Sequence, residues 1–220
     1  MTNAPTGTSN TPADIPAGQP RTHLVAFTPT AAFGPTDVSF AFAGDNTASV
    51  GALVGINTFL LSASPSLTPD IVALAATLNG DGIVHIPGAT GTGVFAVATV
   101  NVGASGSITV SADTGSPGAP AVAHALDEVA GGGAVAGRES AASPVSVSLC
   151  QTDPGSGQCI GTPAARVTVQ IGKGQPPTFG IFVTGLDVVP FDPAAHRIFV
   201  RFEDGGNVTR GSTSVAVRTN

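Results

Sequence analysis

Glycine and proline interrupt this chain every few residues: 29 Gly and 18 Pro occur among 220 residues. The apolar runs between them are short. Runs of four to eight apolar residues bounded by turn formers have the length of strands and fall short of what a buried helix needs. The spacing therefore predicts an all-β chain. Its 11 aromatic residues are all Phe, with no Trp and no Tyr. Any core must then be built from Val, Ile, Leu, Ala and Phe, which suits thin two-sheet sandwiches.

The runs fall into two groups. In the first, Leu24-Val25-Ala26-Phe27, Asp37-Val38-Ser39-Phe40-Ala41-Phe42 and Asn57-Thr58-Phe59-Leu60-Leu61-Ser62 are strand-like. Residues 71–78 are apolar on both faces and fit a helix by periodicity alone. Their length, and the Asn79-Gly80-Asp81-Gly82 turn that follows, favour a strand. Ile83-Val84-His85-Ile86 stops at Pro87-Gly88. Residues 94–102 alternate, with Val94, Ala96, Ala98, Val100 and Val102 on one face, and a Gly103–Gly106 turn leads to Ser107-Ile108-Thr109-Val110-Ser111. The second group comprises 145–149, 165–171, 178–184, 197–202 and 212–217. There Val145, Val147 and Leu149 alternate with Ser146 and Ser148. Ile198, Val200 and Phe202 face inward if Arg197, Arg201 and Glu203 face water. One face buried and one solvated is the mark of antiparallel sheet.

Between the groups Gly, Ala, Ser and Pro dominate, and Gly131-Gly132-Gly133 reads as a linker. A short helix at 121–130 would place Leu126 and Val129 on one side. The organisation expected is two tandem immunoglobulin-like antiparallel β-sandwich domains joined by a Gly/Ala-rich linker. Residues 1–21 form a disordered leader, 22–113 the first sandwich, 114–143 the flexible linker and 144–220 the second sandwich. A weak internal repeat supports this: 94–112 and 198–217 each run strand, turn, then a strand opening Gly-Ser. The first 20 residues have no basic region and no apolar stretch of the signal-peptide kind, so either the chain is exported without a cleavable signal or it is a piece of a longer polypeptide, the second being the favoured expectation.

A net charge of −6, with only eight scattered Lys and Arg, argues against nucleic acid or an anionic membrane as partner. Mean hydropathy is +0.32, but the longest apolar stretch, 51–63, is well short of the ~20 residues of a spanning helix. It also contains Asn57, with Pro65 close behind. Membrane insertion is not expected.

The sharpest chemical feature is the cysteine pair. In Cys150-Gln151-Thr152-Asp153-Pro154-Gly155-Ser156-Gly157-Gln158-Cys159 the Pro-Gly lies at the midpoint. A turn over Asp153–Ser156 would set Cys150 opposite Cys159, close enough for a disulfide. Pro-Gly prefers a type II turn that fits hairpin twist poorly, so a bulge would shift that register. Two free thiols are the alternative. A disulfide implies an oxidising compartment, hence an extracellular or cell-surface location. With no further Cys or His at ligand spacing, neither a metal site nor a cofactor is implied.

His23, His85, His124 and His196 are far apart, and Gly103-Ala104-Ser105-Gly106-Ser107 misses the nucleophile-elbow frame. The chain is read as no enzyme; a histidine within reach of Ser or Asp in a cleft would reopen that question. Acidic residues gather at Asp70 and Asp81, and at Asp187, Asp192, Glu203 and Asp204, without the spacing of a calcium loop. Asp81-Gly82 and Asp204-Gly205 are explained as turns. Asn207-Val208-Thr209 has the form of a glycosylation sequon.

The runs Thr68-Pro69-Asp70-Ile71-Val72-Ala73-Leu74-Ala75-Ala76-Thr77-Leu78-Asn79 and Val189-Pro190-Phe191-Asp192-Pro193, together with Arg210-Gly211-Ser212-Thr213-Ser214, resemble uncharacterised bacterial secreted and surface proteins. Those are built from immunoglobulin-like β-sandwich repeats. The resemblance covers most of residues 50–219; it implies a sandwich and export and offers no catalytic residue. The chain departs from antibody-type domains in lacking a core Trp and an inter-sheet disulfide. The function expected is a non-catalytic structural or adhesive module with an unknown protein or surface partner. The alternative is an accessory domain that binds carbohydrate or Ca²⁺ beside an extracellular enzyme.

Overall fold

The structure, a computed structural model, describes residues 12–47, 57–115 and 143–220. It is all-β, with no helix among the described residues. Eleven strands follow in chain order: β1 Phe33–Ser39, β2 Thr58–Ala63, β3 Ile71–Thr77, β4 Ile83–Ile86, β5 Thr92–Asn101, β6 Gly106–Asp113, β7 Val145–Thr152, β8 Arg166–Ile171, β9 Thr178–Gly185, β10 Arg197–Asp204 and β11 Thr209–Thr219. Strands β1 and β2 form a separate two-stranded ribbon. The rest make a four-stranded sheet in the order β3-β5-β9-β7 and a five-stranded sheet in the order β4-β11-β10-β6-β8. All pairs are antiparallel except β11 with β4.

Alternation along each strand sends one set of side chains between the two large sheets. The four-stranded sheet contributes Phe95, Val97, Leu149, Phe179, Ile181 and Val183. The five-stranded sheet contributes Ile86, Ile108, Val110, Ile198, Val200 and Phe202. Phe179 and Phe202 meet edge-on across the gap, ring centres 5.8 Å apart. Burying each ring is worth about 2–3 kcal/mol, and the edge-to-face contact adds about 1 kcal/mol. With no Trp or Tyr in the chain, this pair is the largest aromatic contact in the core.

The two halves of the chain do not form two tandem sandwiches. Residues 71–113 supply β3 and β5 to one sheet and β4 and β6 to the other. Residues 145–219 supply β7 and β9 to the first and β8, β10 and β11 to the second. Strand β5 pairs with β9, and β6 lies between β10 and β8. The physical reason is edge satisfaction: each half alone leaves unpaired backbone along several strands, and interleaving closes those ladders. The apparent repeat also dissolves. Strands β10 and β11 are a true hairpin, whereas β5 and β6 belong to different sheets. Likewise the 79–82 turn carries the chain from one sheet to the other. There Gly80 and Gly82 adopt positive φ, and Asp81 Oδ1 accepts from the Ile83 amide at 2.9 Å.

Several local expectations also shift. Leu24–Phe27 form no strand; instead Phe27 stacks on Phe59 of the ribbon at 6.0 Å. Strand β1 lies earlier than the 37–42 run, and its pairing with β2 slips between Phe33 and Thr36, where Pro35 has no amide to donate. The helix expected at 121–130, most of the 114–143 linker and residues 1–11 of the leader lie outside the described residues.

One buried polar group holds the end of β5. Asn101 is fully buried. Its Oδ1 accepts from the Gly103 and Asp70 amides at 3.0 and 3.2 Å, and its Nδ2 donates to Ala104 O and Ile171 O at 2.7 and 3.2 Å. The last of these partners sits on β8, in the opposite sheet. All four capacities of the amide are satisfied, so it fixes the crossing from β5 to β6 without an unpaired group in the core.

Candidate functional site

A cleft of about 840 Å³ lies between the ribbon and the rim of the sandwich. Pro35, Phe59 and Leu60 come from the ribbon. The opposite wall comes from the start of β3 and the outward faces of β6, β8, β10 and β11. A smaller cleft of about 290 Å³ shares Pro35, Phe59, Leu60 and Arg210 with it and extends toward Leu67 and Gly103.

Alternation on β10 explains the charged wall. With Ile198, Val200 and Phe202 inward, Phe199, Arg201 and Glu203 project outward into the cleft. The register sets Arg201 beside Ser111 and Phe199 beside Asp113 on β6. Arg201 Nε donates to Asp113 Oδ2 at 2.8 Å, and the guanidinium lies over the Phe199 ring at 5.2 Å. Arg166 on β8 lies 4.0 Å from Glu203. Arg210 donates to Asp204 Oδ2 at 2.7 Å. Burial alone would raise the Asp204 pKa, but Arg210 and the Val208 and Gly206 amides outweigh it and hold the carboxyl below the usual range. In that turn Asn207 takes a left-handed backbone, φ 59°. So the three arginines lining the cleft are each matched to a carboxylate of the same chain. The outward positions of Arg201 and Glu203 were legible in the β10 alternation; Asp113, Arg166 and Arg210 gave no such signal, because their strands' neighbours were unknown.

Arg197 departs from its expected exposure. It lies on the outward side of β10, yet is only 7% exposed. Its guanidinium donates to Ser214 Oγ at 2.8 and 3.2 Å and to Pro193 O at 3.0 Å. Burial draws its pKa below the ordinary arginine value.

The other acidic residues take local roles. Asp192 accepts from the Ala194 and Ala195 amides, Asp187 from Val188, and Asp81 from its turn. Asp70 and Glu203 line the large cleft. Among the described residues no three His, Cys, Asp or Glu side chains converge to hold a metal ion.

Two histidines do meet partners. His85 Nε2 is 2.8 Å from Asp81 Oδ2, and its Nδ1 is 3.1 Å from Asn220 Oδ1. Ser143 Oγ is 2.9 Å from His196 Nδ1. Neither pair lines either cleft. No carboxylate lies within ion-pair distance of His196 among the described residues, so the relay of a serine nucleophile is incomplete there. The Ser143–His196 contact instead joins the residue before Pro144, at the start of β7, to the one before β10.

Cys150 and Cys159 are joined by a disulfide, their Cα atoms 5.6 Å apart. The register differs from the symmetrical one. Thr152 faces Cys159, and farther along Leu149 faces Ala164. The Asp153 amide donates to Gln158 O at 2.9 Å, and the Gly157 amide to Asp153 O at 2.8 Å, with Gly157 at φ +71°. Asp153 Oδ1 accepts from the Ser156 and Gly155 amides and the Ser156 hydroxyl, which together hold its carboxyl below the ordinary range. Pro154-Gly155 therefore sits within a wider loop, and the twist mismatch of Pro-Gly is relieved by a register shift. Cys150 lies on the outward side of β7 and is fully covered.

No protein family's sequence profile matches the chain, and no curated protein matches it. Among solved structures it is similar to the β-glucosidase from Listeria innocua, at 10% identity and a TM-score of 0.29. The match covers 74% of this chain and 17% of that one. The chain thus spans under a fifth of that protein's length, and a likeness this low carries no argument about function. No helix among the described residues is long and apolar enough to cross a membrane.

Proposed function

We propose that this chain is a non-catalytic structural or adhesive module of a bacterial secreted or cell-surface protein, its sandwich of immunoglobulin-like type. The supporting observation is the state of the large cleft. Its three arginines are each matched to carboxylates of the chain itself. A wall whose basic groups are already paired within the chain has less to offer a charged ligand. The Cys150–Cys159 bond agrees with an oxidising compartment.

An accessory ligand-binding role is the second reading, favoured by Phe59. This half-exposed ring stands in the cleft opposite Arg201 and Glu203, an apolar plane facing hydrogen-bonding groups as sugars require. Thermal melting in the presence of Ca²⁺ or neutral oligosaccharides separates the two readings. The structural module melts unchanged. A rise in Tm that Phe59→Ala or Glu203→Gln abolishes establishes the accessory domain instead. Turnover of ester or glycoside substrates, lost in His196→Ala or His85→Ala, overturns both.

A further inference from the structure

We propose that the open edge of β3 receives residues 24–27 of a second copy of this chain as an added strand. The edges of the two large sheets differ in kind. Beside β7, bonds of Leu149 with Ala164 and of the Ile160 amide with Gln151 O occupy the edge. Strand β8 carries Arg166, Thr168 and Gln170 on its exposed side, and β4 is four residues long with His85 within it. Charge, shortness and cover are the usual protections of an edge. Strand β3 is seven residues long, uncharged and apolar on both faces.

Register shows which of its backbone groups are idle. The Val102 amide donates to Asp70 O, and Ile71 faces Asn101. Alternate residues from Asp70 onward therefore bond to β5, while Ala73 and Ala75 point their amides and carbonyls away from it. Those groups have no hydrogen-bond partner among the described residues. The large cleft borders this edge at Ile71, Val72 and Ala73, which leaves room for a strand beside it.

A matching strand is present in the same chain. Leu24-Val25-Ala26-Phe27 is apolar on both sides of an alternating pattern, yet it forms no strand and its backbone bonds to nothing described. Leu24 is 77% and Val25 50% exposed. Antiparallel to β3, with Phe27 opposite Ala73 and Val25 opposite Ala75, the run sets a large side chain beside a small one at every step. Ala26 then faces Leu74, and Leu24 faces Ala76. The pairs Phe27–Ala73 and Val25–Ala75 take up the idle amides and carbonyls, as in strand addition generally. Within one copy the run is stacked through Phe27 on Phe59. Phe59 lines the cleft and Phe27 does not, so the ribbon stands between the run and its own β3. A neighbour supplies the strand. One donor and one acceptor per chain make a two-fold exchange dimer the smallest closed assembly.

Cross-linking of mixed cysteine variants tests the proposal. Opposed residues of a non-bonded antiparallel pair lie about 4.5 Å apart at Cα, within disulfide range. The native cysteines are bonded to each other and do not interfere. Ala26→Cys chains mixed with Leu74→Cys chains under mild oxidation are expected to give a covalent dimer joined between those two positions. Ala26→Cys mixed with Gln170→Cys, on the exposed side of β8, is expected to give at least tenfold less. Sedimentation velocity of the wild-type chain from micromolar to millimolar concentration is expected to show reversible association. Val25→Lys is expected to weaken it about tenfold or more by burying an unpaired charge. A wild type that stays monomeric throughout overturns the proposal, as does equal cross-linking to Gln170→Cys. An intrachain bond in a monomeric chain carrying both Ala26→Cys and Leu74→Cys assigns the run to its own copy and overturns it likewise.

Discussion

Cys150 is bonded to Cys159, yet the residue facing Cys159 across the ladder is Thr152. The bond is diagonal, and it spans a loop held by Asp153. It closes only a short segment, so the chain-entropy model assigns it about 2–3 kcal/mol. The variant carrying both Cys150→Ala and Cys159→Ala is expected to lose that much in urea unfolding. Mass spectrometry of the exported chain after thiol blocking is expected to find neither thiol free; two blocked thiols would remove the compartment argument.

Asn101 is the polar group on which the core depends most. Asn101→Ala leaves the Asp70 and Gly103 amides and the Ala104 and Ile171 carbonyls without their partner. Each buried loss costs about 1–3 kcal/mol, with water rescuing the partly exposed members. A destabilisation of about 3–5 kcal/mol is expected from the urea midpoint.

Where β11 crosses β3, glycine is required by space. A Cβ at Gly211 would lie 2.1 Å from Ile71 O and 2.8 Å from Ile71 Cβ, and backbone cannot yield as a side chain can. Gly211→Ala is expected to cost about 1–3 kcal/mol, as overpacking does. Gly205→Ala, in open space in the β10–β11 turn, serves as the control and is expected to leave the midpoint nearly unchanged.

His85 is expected to titrate above its ordinary pKa. Asn220 Oδ1 is the larger cause and Asp81 the next. Asp81 itself is lowered to about 2, chiefly by its bond to His85. The raised histidine contributes stability that is full below the unfolded pKa and lost as pH rises through the folded one. The depressed carboxylate contributes stability that is present above its unfolded value and lost as pH falls through about 2. The pair is therefore fully formed between roughly pH 4 and 6.5. Proton NMR of the His85 ring reads the midpoint directly. Asp81→Asn is expected to move it down, and an unmoved midpoint would show the contact to be absent in solution.

Interleaving has its own test. If residues 144–220 were an independent sandwich, they would fold alone. Because β9 depends on β5 and β10 on β6, the isolated segment is expected to give a poorly dispersed NMR spectrum. The whole chain is expected to unfold in one transition, coincident by fluorescence of an attached dye and by circular dichroism.

What the chain's own residues determined was local. Gly and Pro spacing placed nearly every strand from β2 to β11, because strand length and turn chemistry act over a few neighbouring residues. Alternation identified the inward faces of β7 and β10, and the cysteine spacing identified the partners of the disulfide. Tertiary structure decided which strand lies beside which, and therefore that there is one sandwich where two were expected. Any alternating apolar strand can satisfy another's backbone, so pairing is chosen by closing all ladders at once. The same closure buried Arg197 among Ser214 and Pro193, brought Asp113 to Arg201, and left Val72, Leu74 and Val94 on an outer face. No local pattern separates that face from the core, since β3 and β5 are apolar on both sides.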